Sequence, residues 1–265
     1  MQVNGNISEN GSSISLEAVN FLAKSYSTID YYIKLESLLK NVYPAREFSH
    51  LPKYELHKLL NDIILQNYNG EEILKYRLFE KHLNKRNIIG AFEMRVNTSR
   101  IDFLTINGDT TSYEIKSELD NLSKLRKQMT DYMLAFEYNY LVTDERHIAK
   151  AEELLPDSFG LWCYKNGKYK KLKKATLNKK IDPEMQLRLL TKKELLNSYP
   201  EEQGKIKKVL NTYNANSVNY LFKQTLKARY RSRWEFLLSN KENILPIDIQ
   251  FFFNTNILPE RIYFH

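Results

Sequence analysis

Asp102, Glu114 and Lys116 are the residues of this chain whose types and spacing can do chemistry. Asp102 lies in one short β-type run, 100–106, and the tripeptide Glu114-Ile115-Lys116 lies in the next, 111–117, across an Asn107-Gly108-Asp109 turn. Alternate side chains of a strand share a face, so Glu114 and Lys116 point one way while Tyr113 and Ile115 point the other. A tight turn sets Asp102 beside Glu114. Two carboxylates and the backbone carbonyl of Ile115 then make a hard, all-oxygen site that suits Mg²⁺ or Mn²⁺. An ion there would activate a water and offset the charge that builds on a phosphodiester in its transition state. Lys116 is placed to hold or deprotonate that water, or to pair with the phosphate. A pKa depressed by burial would favour the role of base.

Two neighbours extend the set. Glu93 precedes Asp102 by nine residues, on the preceding strand, where it would complete a second metal position or bind the first ion through water. Gln128 sits on the apolar stripe of the following helix, three residues after Leu125 and four before Tyr132. An amide there must find a polar partner or cost about 1–3 kcal/mol, and orienting a water or a phosphate is one such use. Each letter also has a plainer explanation. Glu114 and Lys116 can be an exposed cross-strand pair worth about tenths of a kcal/mol. Gln128 can be a partly exposed helix residue, and Glu93 a strand-edge charge.

The elements that must position these residues follow from the apolar periodicity. A helix begins at Gly70-Glu71-Glu72 and runs to about Lys85, with its acids at the positive end of the dipole. Strands are predicted at 87–96, 100–106 and 111–117, then a long helix over 121–138 capped by Asp120. A short apolar strand, 139–143, leads to a helix capped by Asp144. The runs 160–165 and 168–174 flank Asn166-Gly167, a strong hairpin signal. The order α-β-β-β-α-β-α-β-β over 69–175 predicts an α/β domain with a mixed sheet and helices packed on it. Residues 1–14 read as a flexible polar tail, 15–68 as a helical N-terminal extension, and 176–265 as a helical C-terminal region. Asp182-Pro183-Glu184 starts one C-terminal helix, and a long one runs from Ser217 to about Leu238.

Composition narrows the function classes. With 265 residues and 42% apolar content the chain can bury a sizeable core. Its net charge of +8 suits an anionic partner, most simply nucleic acid, though a lysine-rich solvated surface accounts for the same number. A single cysteine, Cys163, excludes a disulfide framework and a thiolate zinc site, and the five histidines show no metal-ligand spacing. The polar start of the sequence lacks the apolar core of a signal peptide and no run reaches the roughly 18–20 apolar residues of a membrane span. A cytoplasmic protein without membrane contact is expected.

Two basic segments bear on partners. Lys168, Lys170, Lys171, Lys173 and Lys174, on the hairpin beside the expected site, would grip phosphates without reading sequence. Lysines that blunt an exposed sheet edge against pairing explain them equally well. The stretch LKARYRSRWEF sets Lys227, Arg229, Arg231 and Arg233 among Tyr230 and Trp234. It reads as a nucleic-acid contact or as a helix with a buried aromatic face and a solvated basic one.

A helix, three strands carrying D…ExK, a helix carrying Q-x-x-x-Y and a further strand resemble the core of the PD-(D/E)XK phosphodiesterase superfamily. Its fold is restriction-endonuclease-like: a mixed sheet with an αβββαβ core, here with an added β-hairpin and helical extensions at both ends. Within it, RIDF…YEIKSELDNLSKLRKQ is similar to a bacterial family with the pattern R-x-D…E-I-K-S-x-x-D-x-L-x-x-L-x-x-Q. The match runs from about Glu72 to Ala175. The resemblance implies a metal-dependent nuclease in which Asp102, Glu114 and the Ile115 carbonyl hold Mg²⁺ or Mn²⁺. Lys116 is then the catalytic lysine, Gln128 and Tyr132 form the helix motif, and Glu93 and Arg100 are supporting polar residues. The first-helix acid of the family falls on Glu71, Glu72 or Glu80. DNA is the expected substrate, in a phage-defence or mobile-element setting, with a protein partner or a homodimer formed through the helical extensions. The alternative is a non-catalytic nucleic-acid-binding or partner-docking module on the same fold.

Overall fold

The computed structural model describes residues 14–165 and 167–265, so nearly all of the expected 1–14 tail, and Asn166 of the expected turn, lie outside the described residues. The chain divides into two compact units: 14–68 together with Pro259–His265, and Asn69–Leu258. Residues 176–265, expected as a region of their own, are thus divided between the two.

The first unit holds α1 (Leu16–Ser25), α2 (Tyr32–Val42), α3 (Lys53–Asn67) and a short helix, Pro259–Tyr263. Ser15 caps α1 by accepting the Ala18 N–H. Leu22, Leu35, Leu39, Leu56, Leu60 and Ile64 recur at helical spacing and are buried together with His57.

The second unit runs α4 (Glu71–Glu80), β1 (Ile89–Val96), β2 (Ser99–Asn107), β3 (Asp109–Lys116), α5 (Leu125–Met133), β4 (Tyr138–Asp144), α6 (Ile148–Leu154), β5 (Gly160–Lys165) and β6 (Lys168–Lys173). It continues through α7 (Pro183–Arg188), α8 (Lys192–Ser198), α9 (Ile206–Thr212), α10 (Ala215–Asn240) and α11 (Ile249–Thr255). The six strands form one open sheet in chain order. β1–β2, β2–β3 and β5–β6 pair antiparallel, while β3–β4 and β4–β5 pair parallel. Hairpin turns serve the antiparallel steps. The parallel steps need crossovers, which α5 and α6 supply. The architecture is therefore mixed α/β, with a mostly antiparallel sheet and helices before and after it.

Each face of the sheet has its own core. Leu125 and Met129 of α5 pack with Ala151 of α6 and with Leu141, Phe159 and Leu161 on one face. On the other, Phe92, Phe103 and Tyr113 meet Phe79 and His82 from the α4 side, Trp234 of α10 and Phe253 of α11. The α10 stripe Val218, Phe222, Leu226, Tyr230, Trp234 recurs every fourth residue and is buried throughout. Gly90 makes room for it, since a Cβ there would stand 2.3 Å from the Trp234 ring. Of the two readings of LKARYRSRWEF, the helix with a buried aromatic face is the one observed. Tyr230 and Trp234 are buried, Arg231 and Arg233 are exposed, and Arg229 grips both Glu194 oxygens at 2.7 and 2.5 Å.

One element differs from expectation in a way that matters for the site. The helix expected over 121–138 is only Leu125–Met133. Asp120, expected as its N-cap, instead accepts the Ser117 N–H at 2.7 Å and the Ser117 hydroxyl at 2.6 Å, closing a turn directly after β3. Asn121 makes a second local turn by accepting the Ser123 N–H. Both side chains satisfy loop backbone, so the helix starts one turn later. No helix among the described residues is long and apolar enough to cross a membrane.

Candidate active site

The site forms where β2 parts from β3. Gly108, at φ +79°, closes the turn that pairs Asn107 with Asp109, and the ladder then runs back to Phe103 opposite Tyr113 and stops. One step further would pair Asp102 with Glu114. Instead Asp102 Oδ2 accepts the Ile115 N–H at 2.6 Å, so a side chain replaces the ladder. The β1–β2 ladder also skips a rung here, between Phe92–Phe103 and Met94–Ile101, where Glu93 faces Asp102. Glu93 has φ +56°, a left-handed conformation that costs a non-glycine residue about 1–3 kcal/mol and recurs at functional sites. Glu93, Asp102 and Glu114 thus form a row across three strands at a gap in the sheet. A strand residue's N–H and C=O point to the same edge, so the Ile115 carbonyl also faces the gap that Asp102 bridges.

Glu114 is 1% exposed, and both its oxygens accept hydrogen bonds. Its Oε1 accepts from Lys116 Nζ at 2.6 Å and from Gln128 Nε2, and its Oε2 accepts from the Tyr132 hydroxyl at 2.6 Å. That hydroxyl also lies 2.8 Å from the Arg100 carbonyl, so one proton serves two acceptors and ties α5 to β2 and β3. Gln128 has a buried Oε1 with no hydrogen-bond partner, an acceptor still to be filled. Burial and the nearness of Glu114 push the Asp102 carboxyl well above its usual range, against the pull of Lys75. Burial raises Glu114 too, against Lys116 and Tyr132. For Lys116 burial acts downward, but Glu114 and Asp102 outweigh it and the ammonium is held charged. The shift is thus upward, opposite to the depression that would favour a role as base. The carboxylate that sits beside it in the strand pattern stabilises its proton.

Two contributors went unrecognised in the sequence. Glu71, Glu93 and Asp102 bring carboxylate oxygens within 4.8 Å of one another. Of the three acids considered for the first helix, Glu71 is the one in this cluster; Glu80 instead pairs with Arg77. Among the acids stands the ammonium of Lys75, 2.5 Å from Glu71 Oε1, 3.8 Å from Asp102 Oδ1 and in contact with Glu93. Gln250 of α11 accepts from it at 3.3 Å. Burial works against the charge on Lys75, yet Asp102, Glu71 and Glu93 raise its pKa above the ordinary lysine value. Its signal was legible: Lys75 is a lone cation within the buried run Ile73, Leu74, Leu78, Phe79 and lies one turn after Glu71. Gln250, far along the chain, carried no such signal.

Glu71, Glu93, Asp102, Glu114, Lys116 and Gln128 line a cleft of about 480 Å³. Arg100, Lys124 and Lys127 stand on its lining, and Arg100 Nε bonds Glu93 Oε2 at 2.5 Å. The hairpin lysines Lys168, Lys170, Lys171, Lys173 and Lys174 are exposed but are not part of it. β6 is the far edge strand, and β4 and β5 separate it from the acidic row on β1–β3. The expectation that they flank the site fails because the two parallel crossovers carry the hairpin away from β3.

The acids of the cluster offer only oxygens as ligand atoms, and the Lys75 ammonium stands among them as a cation. The residues present therefore fit a hard divalent ion. The whole constellation, from Glu71 to Gln250, lies inside the segment 64–252 that matches the family model described as bacteriophage P4 protein cII. In structure the chain is similar to SPO1766, a protein of unknown function from Silicibacter pomeroyi. The two are 16% identical with a TM-score of 0.37, over 63% of this chain and 89% of that one. No curated protein matches the sequence. The family match takes in most of the chain and all of the acidic cleft, and on it the chain belongs to the bacteriophage P4 protein cII family.

Proposed function

We propose that the chain is a metal-dependent nuclease of the PD-(D/E)XK type that hydrolyses phosphodiester bonds, with DNA as substrate. On this reading α4-β1-β2-β3-α5-β4 is the αβββαβ core of a restriction-endonuclease-like fold, and β5–β6 is an added hairpin. The observation that carries it is the convergence, at one gap in the sheet, of Asp102, Glu114 and Lys116 with Gln128 and Tyr132 of α5. The phage name of the family is compatible with a mobile-element setting.

Asp102, Glu114 and the Ile115 carbonyl would hold Mg²⁺ or Mn²⁺, with Glu93 and Glu71 beside them. When bound, such an ion lowers the pKa of a water and neutralises charge on the phosphate. Lys116, bonded to Glu114, positions or activates the attacking water or holds a phosphate oxygen. The free Oε1 of Gln128 accepts a hydrogen from the same water. Tyr132 fixes the carboxylate of Glu114. Arg100, Lys124 and Lys127 meet the backbone of the nucleic acid without reading its sequence.

The test is cleavage of linear, nicked, branched and single-stranded DNA, and of RNA, with Mg²⁺ or Mn²⁺. Asp102→Ala, Glu114→Ala and Lys116→Ala are expected to abolish it while circular dichroism shows the fold retained. Absence of cleavage on every substrate, together with absence of metal binding by calorimetry, overturns the proposal. Salt-dependent binding indifferent to the three substitutions would assign the chain to non-catalytic nucleic-acid binding instead.

A further inference from the structure

The sheet carries a second cleft, of about 450 Å³, on its other face. Strand alternation separates the two: Glu114 and Lys116 line the acidic cleft, whereas Thr111 and Tyr113 of the same strand line this one. Its walls are cations and rings. Lys81, Lys85, Lys171 and Lys174 surround it, against one acid, Asp109, which itself lies 4.0 Å from Lys223. No ion pair engages any of the four lysines among the described residues. Burial, together with the neighbouring lysines, lowers Lys81 and Lys85 below the ordinary lysine value.

The floor is aromatic. Tyr140 stacks on Tyr113 with centroids 5.5 Å apart and planes 13° apart, and Trp162 abuts Tyr140 at 5.3 Å. Tyr140 and Tyr138 are half-exposed. Gly160 is what lets the Tyr140 ring lie across β5, because a Cβ there would stand 2.1 Å from Cε1 of that ring. The lysines rest on the rings for want of anions: Lys81 Nζ is 5.0 Å and Lys171 Nζ 5.1 Å from the Trp162 centroid. Trp162 is 3% exposed and its buried indole N–H has no acceptor.

Like charges gathered without a counter-ion around a stacking surface select a ligand that is both anionic and flat. We infer that this cleft binds a phosphorylated nucleobase, the base stacking on Tyr140 and Tyr138 and the phosphate meeting Lys81, Lys85 and Lys171. The ligand is a free nucleotide or the phosphorylated end of a nucleic-acid strand, which share this chemistry. The volume suits one nucleotide unit, and the stacking is indifferent to base identity. No acid of the other cleft takes part, so binding needs no divalent ion.

The experiment is calorimetric titration of the full chain in EDTA with dAMP, inorganic phosphate, adenosine and a 5′-phosphorylated single-stranded oligonucleotide, with tryptophan fluorescence read in parallel. dAMP, the oligonucleotide or both should bind at least about tenfold more tightly than phosphate or adenosine and change the fluorescence. Binding by the oligonucleotide alone identifies a strand end as the ligand. The double change Lys81→Ala/Lys171→Ala, at exposed positions, should weaken binding at least about tenfold, equivalent to about 1.4 kcal/mol. Tyr140→Leu should bring the affinity for dAMP down to that for phosphate. The inference is overturned if neither nucleotide probe binds at millimolar concentration, if phosphate alone binds as tightly, or if the double lysine variant binds unchanged.

Discussion

Replacing Lys75 by methionine keeps the length of the side chain and removes its charge, and the effect on stability should depend on whether a divalent ion is supplied. The Lys75 ammonium stands 2.5 Å from Glu71, 3.8 Å from Asp102 and 3.3 Å from Gln250, and also touches Glu93. Removing one partner from a buried ionic network leaves the others uncompensated and costs about 3–5 kcal/mol. In a unit the size of Asn69–Leu258, 1 kcal/mol moves Tm by about 2–4 °C, so a loss of about 3 kcal/mol lowers Tm by about 6–12 °C in EDTA. A divalent ion in the place of the ammonium returns much of this. At about a hundred times its Kd a ligand adds about 2.7 kcal/mol. In the wild type the ammonium already neutralises Glu71, Glu93 and Asp102, so the same concentration of ion shifts wild-type Tm by less. Thermal unfolding followed by circular dichroism, in EDTA and in Mn²⁺, with calorimetric titration of Mn²⁺, reads both effects. Lys75→Gln serves as a milder second variant. Equal stability of variant and wild type in EDTA would refute the counter-ion role. A destabilised variant that Mn²⁺ leaves unshifted would make the acids an ion-pair network and no metal site.

Three further outcomes are expected. Gly90→Ala drives a methyl into the Trp234 ring, 2.3 Å from the nearest atom, and should cost about 1–3 kcal/mol by urea denaturation; a neutral result would mean that α10 does not pack on β1 as described. Tyr132→Phe removes a donor from buried Glu114 and should cost about 1–3 kcal/mol, so a midpoint unchanged in urea would show the bond to be dispensable. His82 is buried with its pKa lowered to about 4, by burial and then by nearby Lys85 and Lys81, against its bond to Leu78 O. The unfolded chain binds this proton from pH 6.5 downward and the folded one only near 4, so stability is complete above pH 6.5 and falls between the two. The full window is worth about 3 kcal/mol. His82→Gln should flatten this part of the pH profile, and parallel slopes in the two proteins would rule the assignment out.

What could be read from the letters was what depends on local rules. Strand alternation placed Glu114 and Lys116 on one face, the Asn107-Gly108 turn placed Asp102 beside them, and the four-residue step from Gln128 to Tyr132 put both on the same side of α5. The start of α5 is not legible from composition, because Asp120 and Asn121 make equally good local bonds to loop backbone and their letters do not say which backbone an Asx side chain serves. Sequence order alone brings the hairpin lysines next to the site, whereas each parallel crossover moves the chain one strand further from β3.

Lys75 is the more instructive omission. A lysine in a buried helical stripe conflicts with the local pattern unless something in the fold holds its charge, and here three acids from one helix and two strands do so. Each acid taken alone looked like a metal ligand or an ordinary surface charge. Only their convergence shows that the acidic cluster carries a cation of its own. The same reasoning separates the two clefts. One gathers carboxylates and supplies an internal cation; the other gathers lysines that no anion answers and rests them on Trp162. A nucleic-acid ligand in the acidic cleft must come with cations at its phosphates, which Arg100, Lys116, Lys124 and Lys127 supply in part and a divalent ion would complete. In the basic cleft the phosphate is itself the missing counter-charge. The two proposals thus predict opposite responses to EDTA: loss of cleavage at the first cleft and unchanged nucleotide binding at the second.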